Sequence, residues 1–177
     1  MTNVLLTFLG PKAHLYPCPQ LRPHLLHFLE VAASRFEVVV FTASPTIYAN
    51  RCDLLPPLLP LSPSTPPLLL HPRVLDLLDP DHMLIDHRMF RHHCHHHHHH
   101  KAHYIKDLCA LGRDLSKVVI IDNSVEAFAF QLDNGVLIED FLGSPEDTAL
   151  LRMEAFLVKL ATAQDARQAV HDYYDQL

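Results

Sequence analysis

Residues 117–124 read KVVIIDNS, and the fold turns on how this stretch is read. Val118, Val119, Ile120 and Ile121 form an unbroken apolar run. A half-buried strand alternates apolar with polar residues. A run without alternation belongs to a strand covered on both faces, as in a parallel sheet layered by helices. The run stops at Asp122, Asn123 and Ser124. Polar groups at the carboxyl end of a central strand lie where open α/β sheets bind ligands. The plainer reading of the same residues is a strand end followed by a helix N-cap at Ser124.

A second run of the same kind, EVVVFT at 37–42, also ends in small polar residues, Thr42 and then Ser44. Ser44 before Pro45 has the form of an N-cap with proline at the first helical position, and predicts a helix from 45 to about 55. Residues 4–9 form a shorter apolar run closed by Gly10 and Pro11, a further strand. Between 24 and 35, Leu25, Leu26, Phe28, Leu29, Ala32 and Ala33 fall on one helical stripe.

Downstream of the opening stretch, a helix is expected around 125–130 and a strand at 136–138. A helix should start at Ser144-Pro145-Glu146-Asp147 and bury Leu150, Met153, Phe156, Leu157 and Leu160. A last helix over 165–177 should turn Val170, Tyr173 and Leu177 inward. Upstream, 74–79 suits a short helix, 82–91 suits strands of a small antiparallel piece, and 104–108 leads into a short helix ending near Gly112. Strands alternating with helices give an α/β domain with a mostly parallel sheet.

The bulk composition narrows the function. A chain of 177 residues, 49% apolar, is one domain with a sizeable core. A net charge of −6 without a basic run argues against a nucleic-acid surface. No apolar run approaches the roughly 20 residues of a membrane span, and the first residues lack the pattern of a secretory signal. The four cysteines show no CxxC spacing, which fits a reducing compartment and no disulfide framework.

Two segments break the pattern. Residues 55–72 hold seven of the fourteen prolines, a density that forbids helix and central strand alike. They read as a solvent-facing insertion, a disordered one in preference to a docking segment. Residues 92–103 include six consecutive histidines at 95–100. Imidazoles bind transition metals, but a homopolymer has no fixed geometry of its own, so the segment reads as a low-complexity loop. Both segments are expected to be mobile loops outside the core.

Two strand ends thus carry polar groups, Thr42 with Ser44 and Asp122 with Asn123, and Lys106 stands between them in sequence. A hydroxyl at a helix N-terminus, a cation and a carboxylate–amide pair suit a phosphate with a divalent metal. Parallel strands place their carboxyl ends at one edge. Thr42, Lys106 and Asp122 with Asn123 should therefore converge there, with Lys106 and Asp122 within salt-bridge reach.

FEVVVFTAS, YIKDLCALGRDLSKVVIIDNS and FQLDNGVLIEDF resemble the CTD-phosphatase family, the NLI-interacting-factor type. These are small aspartate-based serine/threonine protein phosphatases of the haloacid-dehalogenase superfamily. The resemblance covers roughly 22–161 apart from the two biased segments. It implies a HAD-like Rossmannoid parallel sheet with helices on both faces and a small antiparallel insertion, all in one domain over 1–177. It also implies a phosphorylated protein or peptide as substrate, Mg2+ as cofactor, and an intracellular place in nucleus or cytoplasm in preference to the mitochondrion. In the family's terms Thr42 resembles the phosphate-binding second motif, and Ser44 stands beside it. Lys106 resembles the third-motif lysine, which serves catalysis and phosphate binding. Asp122 and Asn123 resemble the fourth motif, which serves catalysis and holds magnesium.

One departure bears on the chemistry. The family opens with a strand ending in DxDxT, whose first aspartate is the nucleophile and whose second is the general acid and base. This chain has no such motif, and its first aspartate is Asp53. Val125 also replaces the proline usual after DNS. Segments 48–51 and 74–80 would join into one helix if the residues between them were removed, the pattern of an insertion or of an altered gene model. Three readings follow. The chain is a phosphatase-type domain inactive as written, a non-catalytic binding protein of the same fold such as an import-receptor-like subunit, or a nonfunctional fragment. The DNS motif and LGRDL favour the phosphatase branch.

Overall fold

The structure, a computed structural model, describes residues 3–7, 21–43, 75–76, 78–97 and 103–177. The expectations for Ser44, for the helix at 45–55 and for the proline-rich 55–72 lie outside the described residues.

Among the described residues, five strands form one all-parallel sheet in the order β3-β2-β1-β6-β7. They are β1 (Asn3–Thr7), β2 (Glu37–Phe41), β3 (His87–Met89), β6 (Val118–Asp122) and β7 (Gly135–Leu137). A second, two-stranded antiparallel ribbon joins β4 (His95–His97) to β5 (His103–Ile105). The α-helices labelled here are α1 (Leu25–Ala33), α2 (Ala149–Leu160) and α3 (Ala166–Tyr174), and residues 75, 76 and 78, within the short helix expected at 74–79, are helical too. The mixed α/β class with a parallel sheet is the one the sequence implies.

The unbroken run in β6 is explained by burial on both faces. Val119 and Ile121 face a core built with Val38 and Val40 of β2 and the apolar stripes of α1, α2 and α3. Val118 and Ile120 face a second core with Val39, Phe41, Leu108, Ala127 and Phe128. Among the described residues, the helices on this second face are single 3-10 turns, Leu108–Leu111, Leu115–Lys117 and Val125–Phe128. Asp107 and Asp114 start the first two by accepting the N–H of Cys109 (3.0 Å) and Ser116 (2.9 Å), and Gly112 ends the first with a left-handed φ of 63°.

Several local expectations need correction. Residues 87–89 of the 82–91 segment join the main sheet, parallel to β2, with Asp86 accepting the Val38 N–H at 2.8 Å. The antiparallel piece lies later, and its first strand is made of histidines. The reading of 92–103 as a loop therefore fails at both ends. Ladder pairing of His95 with Ile105, His96 with Tyr104 and His97 with His103 gives the tract a fixed register there. The helix at 144–147 starts later, at Ala149. Arg22 takes Asp147 instead, at 2.8 and 2.9 Å, while Asp147 still accepts the Ala149 N–H at 3.0 Å. Leu26 is 50% and Leu177 84% exposed. The α1 stripe is the narrower Leu25, Phe28, Leu29 and Ala32, and α3 ends at Tyr174, before Leu177 is reached.

Candidate functional site at the carboxyl edge of the sheet

The register fixes what meets at the carboxyl edge. Asp122 is the last residue of β6, and Thr42 follows the last residue of β2. The central β1 lies between them, with Thr7 paired to Phe41 and Leu6 paired to Ile121. Thr42 and Asp122 are thus two strand spacings apart, about 10 Å. Thr42 is buried, and its backbone N–H donates to the Met89 carbonyl at 2.8 Å.

Lys106 enters from the side, directly after β5. Its N–H donates to the Ala127 carbonyl at 2.7 Å. The next two residues are clamped by Gln131, whose Nε2 donates to Asp107 Oδ1 at 2.8 Å and whose Oε1 accepts the Leu108 N–H at 3.1 Å. Burial pushes the Asp107 carboxyl up, but the Cys109 N–H and Gln131 outweigh it and hold the group below its ordinary range. This clamp aims the lysine inward. Lys106 Nζ lies 2.6 Å from Asp122 Oδ2, with the two side chains 4% and 2% exposed, and 6.0 Å from the centre of the Phe41 ring. The other oxygen of Asp122 accepts the Ser124 N–H at 2.9 Å. An ion pair this buried is stable only when geometry and hydrogen bonding are both good, and here the carboxylate has a partner on each oxygen.

The rest of the fourth-motif stretch is equally fixed. Asn123 Nδ2 donates to Asp140 Oδ1 at 2.7 Å, which turns its carbonyl oxygen away from that carboxylate. Ser124 does stand at the start of the 3-10 turn Val125–Phe128, yet its hydroxyl donates to Glu126 at 2.6 Å and does not cap. The structure therefore brings Lys106 into contact with Asp122, sets Asn123 next in chain beside it, and places Thr42 two strands away on the same edge. Ser44 lies outside the described residues.

The sequence reading missed Arg91, Gln131 and Asp140. Arg91 Nε donates to the Ala43 carbonyl, and its guanidinium lies 4.5 Å from the centre of the Tyr104 ring. It thus ties the segment after β2 to β5 and brings a second cation to the neighbourhood of Lys106. No periodicity marks any of the three: Arg91 opens a single 3-10 turn, and Gln131 and Asp140 lie in irregular chain. Cys94 packs against the same core. Burial pushes its thiol up, against the pull of Lys106 and Arg91, so it is not an activated thiolate. Among the described residues no three His, Cys, Asp or Glu side chains gather as a metal-binding group, and no helix is long and apolar enough to cross a membrane.

The family model described as NLI interacting factor-like phosphatase matches residues 11–54 and 71–167. The break falls within the proline-rich segment, the match runs unbroken through the histidine tract, and it begins beyond β1. A nematode protein, CTD small phosphatase-like protein 3 of Caenorhabditis elegans, is 39% identical over 156 residues, covering 88% of this chain and 46% of that one. CTD small phosphatase-like protein 2 of Dictyostelium discoideum is 35% identical over 153 residues, covering 86% and 22%. This chain thus spans less than half the length of either relative. The solved structure of the fission yeast RNA polymerase II CTD phosphatase Fcp1-R271A bound to beryllium fluoride superposes with a TM-score of 0.49 at 16% identity, over 89% of this chain and 39% of that one. On the extent of the family match and the identity to these relatives, the chain belongs to the NLI interacting factor-like phosphatase family.

Proposed function

We propose that this chain is a phosphoprotein-recognition domain of the CTD-phosphatase type that binds phosphoserine or phosphothreonine segments of proteins without hydrolysing them. The observation that carries the reading is the buried Lys106 held 2.6 Å from Asp122 at the carboxyl edge, with the Thr42 strand end on the same edge. Lys106 supplies the charge a phosphoryl group would meet, and Arg91 adds a second cation nearby. The Thr42 and Asn123 side chains offer polar groups of hydrogen-bonding kind.

The hydrolytic step is what is missing. Attack on phosphorus in this family needs an aspartate at the end of the first strand, and β1 ends Leu6-Thr7, with no aspartate in the chain before Asp53. Among the described residues, the donor set does not fit a resident magnesium ion either. Magnesium takes six oxygen ligands in near-ideal octahedral geometry. Asp122 has both oxygens engaged, by Lys106 and the Ser124 N–H, and Asn123 supplies one carbonyl. No step of the proposed function runs through the metal.

The test pairs two measurements on the whole chain. A phosphoserine peptide should bind more tightly than its unphosphorylated form. Lys106→Met and Arg91→Met should each weaken the phosphopeptide by about tenfold or more, the loss of a charge-assisted bond. An aryl phosphate with magnesium should not be turned over. Equal binding of both peptides would instead favour a receptor-type module of the same fold. Magnesium-dependent turnover that disappears with Lys106→Met would overturn the non-hydrolytic reading.

A further inference from the structure

Arg22 is a buried charge that the Lys106 site leaves unexplained. A guanidinium in the interior is tolerable only when its donors are met. Nε and Nη2 donate to the two Asp147 oxygens at 2.8 and 2.9 Å, a bidentate pair, and Nη1 donates to the Glu139 carbonyl at 2.9 Å. The guanidinium carbon also lies 5.7 Å from the centre of the Phe141 ring. Burial pushes the Asp147 carboxyl up, but Arg22 and the Ala149 N–H outweigh it and hold the group below its ordinary range. Stability alone accounts poorly for this arrangement, since an apolar pair of similar volume is commonly as stable as a buried ion pair.

The contacts of Arg22 bracket one residue. Glu139 is held by its carbonyl and Phe141 by its ring, and Asp140 lies between them. Ile138 and Phe141 are buried, so the segment has little room to shift. On its other side the segment meets the site. The Ile138 N–H donates to the Asp122 carbonyl at 2.9 Å, and Asp140 Oδ1 accepts from Asn123 Nδ2 at 2.7 Å. An ionised carboxylate only accepts hydrogen bonds, so it settles which end of the Asn123 carboxamide faces it. The orientation of Asn123 at the carboxyl edge thus depends on where Asp140 stands, and Arg22 sets where Asp140 stands.

Taking the carboxyl edge as a phosphate site, we propose that Arg22 is a positioning residue for it: through the Glu139 carbonyl and the Phe141 ring it holds Asp140, and Asp140 holds the Asn123 carboxamide in one orientation at the edge where the phosphoryl group binds. Arg22 acts through Asp140 and not by contact with the ligand. Its contribution is preorganisation, because a side chain fixed before binding loses no freedom on binding.

Arg22→Lys keeps the charge and loses the bidentate fork. In the whole chain, well below the melting temperature of the variant, it should weaken a phosphoserine peptide by about three- to tenfold, the cost of leaving one side chain to be ordered on binding. Binding of the unphosphorylated peptide should not change. The Asn123 side-chain amide signal should move in a nitrogen–proton NMR spectrum, and its hydrogens should exchange faster. The Asn134 amide is the internal control. It donates to the Leu115 and Val118 carbonyls at 2.6 and 2.7 Å, shares no partner with Arg22, and should stay in place. Arg22→Met/Asp147→Leu separates positioning from stability. The apolar pair should recover much of the stability lost in Arg22→Met alone, yet the tie to Glu139 is gone, so phosphopeptide affinity should stay low. An unmoved Asn123 amide, equal disturbance of the Asn123 and Asn134 amides, or affinity that returns with stability in the double variant would each overturn the proposal. Equal binding of both peptides by the unsubstituted chain would remove the phosphate-site reading, and the Asn123–Asn134 comparison would then decide the role of Arg22 by itself.

Discussion

At the scale of single residues, the Lys106–Asp122 pair dominates. Both groups are nearly dry, at 4% and 2% exposure. Removing one member of such a pair leaves an uncompensated buried charge, which costs about 3–5 kcal/mol. Replacing both by apolar residues of similar size costs far less, because both desolvation penalties vanish together. Lys106→Met and Asp122→Leu should each lower the urea midpoint strongly, while the double variant should recover much of the loss. A strictly additive double variant would mean that the two charges are not coupled. Asp122 also accepts the Ser124 N–H, so its single variant should be the worse of the two.

At the scale of elements, what was legible in the sequence followed periodicity. The runs 118–121 and 38–41 were readable as doubly buried strands because four successive apolar side chains need two cores, and both cores exist. The contact between Lys106 and Asp122 then followed from parallel strands sharing a carboxyl edge. The start of α2 was not legible, because Arg22, more than a hundred residues away, competes for the Asp147 that local chemistry assigns to the helix. The ribbon was not legible because a histidine run has no alternation to announce a strand, and only its partner 103–105 supplies the ladder. Arg91 acts from a single 3-10 turn and Gln131 and Asp140 from irregular chain, none of which carries a repeating pattern to read. Helix α3, Ala166–Tyr174, falls within the expected 165–177. Asp165 stands at its N-cap and accepts the Arg167 N–H at 2.9 Å while its side chain pairs with the Arg167 guanidinium. The Arg167 side-chain hydrogen bond, with the backbone N–H second, lowers the Asp165 carboxyl from 3.8 to about 2. A carboxylate depressed on folding stabilises above its unfolded value and loses that contribution as the pH falls through the folded one. Helix α3 should therefore keep its cap above about pH 4 and fray between pH 4 and 2. Amide exchange of Arg167 followed across that window should show the change, and Asp165→Asn should flatten it. A flat profile in the unsubstituted chain would remove the cap's role.

At the scale of the whole molecule, the three central parallel strands end together, and the middle one ends without an acid. Thr7 is paired with Phe41, and Leu6 with Ile121, so Thr7 is level with Asp122 and one residue short of Thr42. This is the place in the sheet where a carboxylate would stand beside Asp122. Thr7→Asp should therefore create two opposing effects. Without metal, a second carboxylate on the strand next to Asp122 raises like-charge repulsion, and the melting temperature should fall. With magnesium, the added hard oxygen ligand should let the edge hold a cation that the unsubstituted chain holds weakly. A ligand that binds only the folded state stabilises by about 2.7 kcal/mol at a hundredfold excess over its dissociation constant. The melting temperature of Thr7→Asp should thus rise with millimolar magnesium and not with the same concentration of sodium, while that of the unsubstituted chain stays flat. Turnover of an aryl phosphate should remain absent in the variant, because a nucleophile without a second acid to protonate the leaving group completes only half of the exchange. A magnesium-stabilised unsubstituted chain would overturn the poor fit of Asp122 and Asn123 alone. An unresponsive Thr7→Asp chain would mean that the end of β1 does not face the Asp122 side of the edge, and the proposed phosphate site would lose its central strand.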